Sequence, residues 1–229
     1  MLRLSTAMHS TDDLTRVVVL IGGNGSNLQS LIDQAEHYQY QIVGVISHKP
    51  DVFGLVRAER AGIDPTVVDH RNFSDRSLFE SALSDAITSY QPDLILLAGF
   101  MRVLSDTFVK QYSARILNIH PALLPYYKGL HTHQRVMENG DLYHGATVHF
   151  VTAELDGGPI IAKAQIELNN PTSIDSVQQR VLKAEHWLYP MVVNWYSQRR
   201  LKFSENTVLL DDQAVPATGI VFNFEETED

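Results

Sequence analysis

The chain contains no cysteine among its 229 residues, and it has no long apolar run. Disulfide bridges, thiolate nucleophiles and thiolate metal sites are therefore excluded. No run reaches the roughly 18 apolar residues that a membrane-spanning helix requires. Residues 1–15 lack the basic and then apolar layout of a secretory signal. The sequence therefore predicts a cytoplasmic protein with no membrane partner.

Positive charge is also scarce. The sequence contains 18 Lys and Arg residues and 27 Asp and Glu residues, which gives a formal net charge of -9. Such a chain is poorly suited to bind nucleic acid through a broad basic surface, so we predict no nucleic-acid partner. The composition, 44% apolar and 20% charged, is typical of a globular protein. Its length suits one large domain or two small ones, and we predict a single domain over residues 16–229 after an N-terminal extension, residues 1–15.

Short apolar runs typical of buried strands alternate with segments whose apolar residues recur every three or four positions. The pattern predicts strands at 16–21, 41–47, 66–68, 93–98, 115–119, 146–151 and 160–168, helices at 26–38, 51–61, 74–90, 105–112 and from 172, and a hairpin at 207–215. This alternation favours an α/β fold, a doubly wound and mostly parallel sheet with helices on both faces. Residues 16–120 form its Rossmann-like half. Residues 121–141, rich in Pro, Gly, Tyr and His, are predicted to form a long functional loop.

The turn after the first strand is rich in glycine, since residues 22–27 read Gly-Gly-Asn-Gly-Ser-Asn. Free backbone N–H groups and the positive end of a helix dipole would meet there, which suits a phosphate. No lysine follows the glycines as in a nucleoside-triphosphate loop, and Leu28 replaces the third glycine of a dinucleotide turn. A tight turn with Ser26 or Asn27 as helix cap is the open alternative.

A second candidate site lies at the end of the fifth predicted strand, where Asn118, Ile119 and His120 precede Pro121. Residues two apart on a strand face the same side, so Asn118 and His120 are expected in one cleft with Ile119 behind them. An amide and an imidazole can hold a carbonyl oxygen as it becomes an oxyanion. A hydrogen-bonded structural pair is the open alternative.

Asp156, in an Asp-Gly-Gly turn, is the third candidate. A carboxylate next to His120 would favour the charged imidazolium, which is a hydrogen-bond donor. Turns also select Asp-Gly for backbone reasons alone. His131 and His133 lack a third ligand at a spacing typical of zinc sites, so no metal site is predicted.

Several ordered motifs resemble those of the phosphoribosylglycinamide formyltransferases, the folate-dependent enzymes of purine synthesis. They are Asn-Gly-Ser-Asn-Leu at 24–28, Leu-Ala-Gly-Phe-Met-Arg at 97–102, Leu-Asn-Ile-His-Pro at 117–121, Leu-Leu-Pro at 123–125, Gly-Leu-His-Thr-His at 129–133 and Glu-Leu-Asp-Gly-Gly-Pro at 154–159. The resemblance runs from about residue 16 to the final hairpin. It implies the formyltransferase fold, with a phosphate-binding half at 16–120 and a folate-loop and C-terminal half at 121–229.

The resemblance also implies a reaction and a set of roles. The formyl group of 10-formyltetrahydrofolate would pass directly to the amine of glycinamide ribonucleotide in de novo purine biosynthesis, without a metal and by a monomer or homodimer. The implied catalytic residues are Asn118, His120 and Asp156. The implied substrate-binding residues are Gly25, Ser26, Asn27 and Glu185, although the helical pattern alone predicts that Glu185 is solvent-exposed. The implied folate-binding residues are Arg76, Met101, Arg102, Val103, Leu104, Asn118, Thr152, Ala153, Glu154, Leu155 and Asp156.

Three other functions remain as alternatives. A formyltetrahydrofolate deformylase would have an additional N-terminal domain, for which the residues before the first strand are too few. A methionyl-tRNA formyltransferase would need an additional C-terminal module and a basic surface. A phosphate-sugar binding module without catalysis would explain the glycine-rich turn but not the convergence on His120.

Overall fold

The computed structural model describes residues 14–169, 173–204 and 207–225. Their strands are β1 Thr15–Ile21, β2 Tyr40–Ser47, β3 Pro65–Val67, β4 Leu94–Ala98, β5 Ile116–His120, β6 Tyr143–Phe150, β7 Ile160–Glu167, β8 Leu201–Ser204, β9 Thr207–Leu210, β10 Gln213–Ala214 and β11 Ile220–Asn223. Their α-helices are α1 Ser26–Ala35, α2 Phe53–Arg60, α3 Arg76–Ser89, α4 Asp106–Gln111, α5 Thr132–Asn139 and α6 Ile174–Ser197. All of the predicted strands are present, with bounds that differ by a few residues.

Eight strands form one sheet in the order β11-β7-β6-β5-β4-β1-β2-β3, and β8, β9 and β10 form a second, smaller sheet. In the large sheet β6 is antiparallel to both of its neighbours, whereas the other strand pairs are parallel. The predicted mostly parallel α/β fold is confirmed. The predicted hairpin at 207–215 is also present, as the pair of β9 and β10.

The large sheet is covered by helices on both faces because its central strands are apolar on both sides. Along β1, Val17 and Val19 face a core that includes residues of α1, α2, α5 and α6. Val18 and Leu20 face a second core that includes residues of α3 and α4. The buried Tyr189 connects α6 to the sheet. Its hydroxyl lies 3.1 Å from the carbonyl oxygen of Leu97 on β4 and 3.0 Å from that of Leu117 on β5.

Several local predictions need correction. Helix α5 lies within residues 121–141, which were predicted to be loop; it has only 8 residues, and Val136 and Met137 are its only apolar side chains. Helix α6 begins after Ser173, whose hydroxyl accepts the N–H of Ser176, while the predicted start at Thr172 lies outside the described residues. The apolar side chain of Ile174, at the start of α6, is 43% exposed, although the repeat of apolar residues along this helix favours its burial. Glu185, expected in solvent, is 7% exposed.

Two further predictions concern the chain as a whole. None of the helices in the described part of the chain is long and apolar enough to cross a membrane. The division into an extension, a phosphate-binding half and a folate-loop half stays a prediction, and most of the extension, residues 1–13, lies outside the described residues.

Candidate active site

The site lies at the carboxyl end of β5, the edge where open α/β sheets bind ligands. His120 is the last residue of β5 and is 5% exposed, while Asn118 is partly buried. Ile119 points into the core between β5 and the helices beneath it. The alternation of the strand therefore places the amide and the imidazole on the same side, as predicted.

Both ring nitrogens of His120 face acceptors. Its Nε2 lies 2.9 Å from the carbonyl oxygen of Tyr127, to which it donates. Its Nδ1 lies 3.5 Å from Oδ2 of Asp156. The same carboxylate oxygen accepts the backbone N–H of Gly129 at 2.8 Å. The structure thus brings Asp156 to His120, and a segment of the loop after β5 helps to orient both side chains.

His149 is a member of this cluster that the sequence prediction did not include. Its Nδ1 lies 2.9 Å from the carbonyl oxygen of Phe150 and therefore carries the proton. Burial lowers the pKa of His149 to about 4, so the ring is neutral near pH 7. Its unprotonated Nε2 accepts an N–H from Nδ2 of Asn118 at 3.1 Å and lies 3.9 Å from Oδ1 of Asp156.

A narrow slot opens beside this cluster. Its lining combines apolar side chains with the turn that carries Asp156, and comprises Leu97, Phe100, Arg102, Val103, Leu104, Asn118, His149, Val151, Thr152, Ala153, Glu154, Leu155 and Asp156. The slot holds about 80 Å³, below the roughly 300–1,000 Å³ of ordinary ligand pockets. Most of the implied folate-binding residues therefore meet around one cavity, which is small in this structure.

Two of the implied folate-binding residues do not line the slot. Met101 is 64% exposed and lies outside its lining. Arg76 lines a separate groove between α3 and α4. Its Nε donates to Oε1 of Glu80 at 2.9 Å, and Glu80 also accepts the backbone N–H of Ser105 at 2.7 Å, before α4.

The glycine-rich turn joins β1 to α1, and Gly25 precedes the helix with a φ of 77°. No side chain caps α1, and no acidic residue occupies its first turn. The alternative in which Ser26 or Asn27 caps the helix is therefore not what the structure shows. The first N–H groups of α1 and the positive end of its dipole remain available for an anion.

Glu185 on α6 links that helix to the turn. Nδ2 of Asn27 donates to Oε2 of Glu185 at 2.5 Å. Burial raises the pKa of Glu185 to about 7, although the hydrogen bond from Asn27 opposes the shift. The helical pattern of α6 could not reveal this burial, because the neighbour that covers Glu185 comes from the distant α1.

Two other histidines of this region contact each other. Nδ1 of His133 lies 3.0 Å from Nε2 of the buried His144. Among the described residues, no group of three or more His, Asp or Glu side chains could hold a metal ion. His131 directly precedes α5.

Comparison with known proteins agrees with this geometry. A model of the formyl transferase family matches residues 15–193. The phosphoribosylglycinamide formyltransferase of Escherichia coli is 47% identical over 89% of this chain and 97% of its own length. That of Haemophilus influenzae is 42% identical over 90% of this chain and 98% of its own length. The solved structure of phosphoribosylglycinamide formyltransferase from Coxiella burnetii is 42% identical, covers 91% of this chain and 99% of that chain, and superimposes with a TM-score of 0.89. The chain therefore belongs to the formyl transferase family, among relatives that are phosphoribosylglycinamide formyltransferases.

Proposed function

We propose that this protein transfers the formyl group of 10-formyltetrahydrofolate to the amine of glycinamide ribonucleotide, in purine biosynthesis. The observation that carries the proposal is the convergence of Asn118, His120 and Asp156 at the end of β5, beside the slot. Oxyanion stabilisation needs hydrogen-bond donors where charge develops. The sequence has neither a cysteine nor a Gly-x-Ser-x-Gly nucleophile turn, and we therefore propose a direct transfer without a covalent enzyme intermediate.

The formyl donor fits the slot in chemical character. A flat heterocycle needs apolar walls and a few polar groups at its edge. The slot supplies apolar walls through Leu97, Phe100 and Leu104, and the segment 151–156 lines another side. Because the slot is small, we propose that segment 152–156 shifts outward when the donor binds. We propose that Arg102, which lines the slot, and the exposed Met101 contact the rest of the donor.

The formyl acceptor fits the other side of the cleft. Its phosphate binds at Gly25, Ser26 and Asn27, where no side chain caps α1. The N–H groups of the turn and of the first turn of α1 can therefore donate hydrogen bonds to the phosphate. Its sugar hydroxyls reach Glu185, which Asn27 already holds by a hydrogen bond. The turn follows β1 and the catalytic cluster follows β5, with only β4 between those two strands. One ligand can therefore span the distance along the carboxyl edge of the sheet.

Each catalytic side chain has a separate task. The amine of the acceptor attacks the formyl carbon, and negative charge develops on the formyl oxygen. Asn118 donates one N–H of its amide to Nε2 of His149 and the other N–H to the formyl oxygen. His120 donates from Nε2 after that N–H leaves the carbonyl of Tyr127, its present acceptor. Asp156 faces the opposite edge of the imidazole, where its Oδ2 lies 3.5 Å from Nδ1, and helps to orient the ring.

Proton transfer completes the reaction. The attacking amine loses a proton, and the nitrogen of the donor that releases the formyl group gains one. We propose that Asp156 helps to relay this proton through water. The carboxylate is suited to this because Oδ2 is held by Gly129, and Asp156 also lines the slot. A cytoplasmic location and a monomeric or homodimeric state stay predictions.

The test is to follow tetrahydrofolate formation by purified protein with both substrates and with each one omitted. The proposal predicts turnover only when 10-formyltetrahydrofolate and glycinamide ribonucleotide are both present. Release of formate from the donor alone would indicate a deformylase. Binding of the ribonucleotide without turnover would indicate a binding module. Formylation of methionyl-tRNA in place of the ribonucleotide would indicate the tRNA enzyme.

A further inference from the structure

The glycine-rich turn is packed backbone against backbone on the first turn of α2. The N–H of Gly54 donates to the carbonyl oxygen of Gly23 at 3.1 Å. A Cβ on Gly25 would lie 2.6 Å from the Cα of Gly54. No residue larger than glycine fits at position 25 without displacing one of these backbones. Helix α2 therefore forms a fixed support for the turn.

Arg57, one helical turn after Gly54, holds the turn with its side chain. Its Nε donates to the carbonyl oxygen of Asn24 at 3.0 Å, and its Nη2 donates to Oδ1 of the same residue at 3.0 Å. Its Nη1 donates to Oε1 of Gln29 on α1 at 3.1 Å. The planar guanidinium thus connects α2, the turn and α1 through three hydrogen bonds, an arrangement that suits arginine and not lysine.

These contacts determine where the N–H groups of the turn point. In a trans peptide the carbonyl of one residue and the N–H of the next point in opposite directions. The carbonyl of Gly23 points to Gly54, so the N–H of Asn24 points away from α2. The carbonyl of Asn24 points to Arg57, so the N–H of Gly25 also points away from α2. Neither N–H has an acceptor within the described residues.

We propose that Arg57 is a positioning residue for the phosphate site. By holding the Asn24 carbonyl toward α2, it directs the N–H of Gly25 toward the phosphate of the acceptor. It acts through the turn and need not touch the phosphate. This inference rests on the proposed function, because it assigns the turn to the acceptor's phosphate.

Long-range charge is the competing explanation, since any cation near the turn would attract a phosphate. Arg57→Lys separates the two explanations because it retains the charge but cannot make the forked contact to Asn24 and Gln29. Arg60 supplies a matched control on the same helix. Its guanidinium carbon lies 5.8 Å from the ring centre of Phe53, which Arg57 also approaches, at 4.8 Å. No hydrogen bond joins Arg60 to the turn among the described contacts.

The experiment compares steady-state kinetics of the wild type, Arg57→Ala, Arg57→Lys and Arg60→Ala. Hydrogen bonds to charged groups have typical energies that correspond to a change in affinity of roughly tenfold to a hundredfold. We expect both Arg57 variants to raise KM for glycinamide ribonucleotide by that factor. The KM for the formyl donor and kcat at saturation should stay within about threefold of the wild type. Arg60→Ala should match the wild type in all of these constants.

Binding of inorganic phosphate provides a second readout that does not depend on catalysis by the variant. The rise in melting temperature that phosphate causes should become smaller in both Arg57 variants, in parallel with the rise in KM. An Arg57→Lys variant with the KM of the wild type would overturn the inference in favour of charge alone. Equal losses of kcat and of both affinities would also overturn it, in favour of general misfolding. An inactive wild type would instead count against the proposed function.

Discussion

Asn118 donates a hydrogen bond from Nδ2 to Nε2 of His149 at 3.1 Å. The two residues are directly opposite each other on the antiparallel strands β5 and β6. Because Nδ1 of His149 is occupied by the Phe150 carbonyl, Nε2 can only accept while the ring is neutral. The bond therefore determines which end of the Asn118 amide faces His149. We propose that the second N–H of Asn118 is the donor for the reaction.

Replacing His149 tests this arrangement. His149→Leu removes the acceptor and lets the Asn118 amide rotate, so we expect kcat to fall roughly tenfold to a hundredfold, as for a lost buried hydrogen bond. KM for glycinamide ribonucleotide should change little. His149→Gln carries an acceptor oxygen and should recover part of kcat. Equal kcat for the Leu variant and the wild type would show that His149 does not orient Asn118.

Asp156→Asn tests the charge beside His120. The amide can still accept the N–H of Gly129, so the turn should keep its conformation. The negative charge 3.5 Å from Nδ1 of His120 is lost, so positive charge that develops on the imidazole during the reaction is no longer stabilised. We expect kcat to fall by about a hundredfold or more, in the range for loss of a charge-stabilising or acid-base group. Asp106→Asn, on the exposed surface of α4, is the matched control and should retain the kcat of the wild type.

The burial of Glu185 leads us to expect that the stability of the protein depends on pH. Its pKa rises from 4.5 to about 7 on burial. Between these two values the folded state binds more protons than the unfolded state, so the free energy of unfolding falls as pH rises through this window. The loss of stability is complete above about pH 7, where Glu185 is ionised in the folded protein. For a shift of this size the loss is roughly 3 kcal/mol at most.

Glu185→Gln removes that cost while it keeps an acceptor for Asn27. Without ligand, we expect the variant to have a higher free energy of unfolding than the wild type at pH 8. Near pH 4.5 the two values should be equal, as measured by urea unfolding. Its KM for glycinamide ribonucleotide should rise, because the carboxylate that we propose as the partner of the sugar hydroxyls is gone. A difference in stability that does not change with pH would show that Glu185 titrates normally.

Much of this fold follows from local patterns in the sequence. Strand β1 is apolar on both faces because helices cover both sides of it, and its apolar run predicted a buried strand. The spacing of Asn118 and His120 predicted that they share a side, since strand geometry leaves no other outcome. The glycine-rich turn predicted an anion site through the same local reasoning.

Features that depend on distant partners could not be predicted in this way. Glu185 is buried because Asn27 meets it from another helix. His149 belongs to the site because β6 pairs with β5 in one particular register. Helix α5 is short and polar, so it has too few apolar residues for a repeating pattern to predict it. The proximity of Asp156 to His120 was expected only from the family resemblance, and the structure supplies the distance.

The most direct test of the catalytic assignment is the turnover of purified His120→Ala and Asn118→Ala with both substrates at saturation. Loss of one oxyanion donor typically lowers turnover by about a hundredfold to a thousandfold, and we expect each variant to fall at least that far. Circular dichroism and the melting temperature should confirm that each variant is folded. Wild-type turnover in a folded His120→Ala variant would contradict the account.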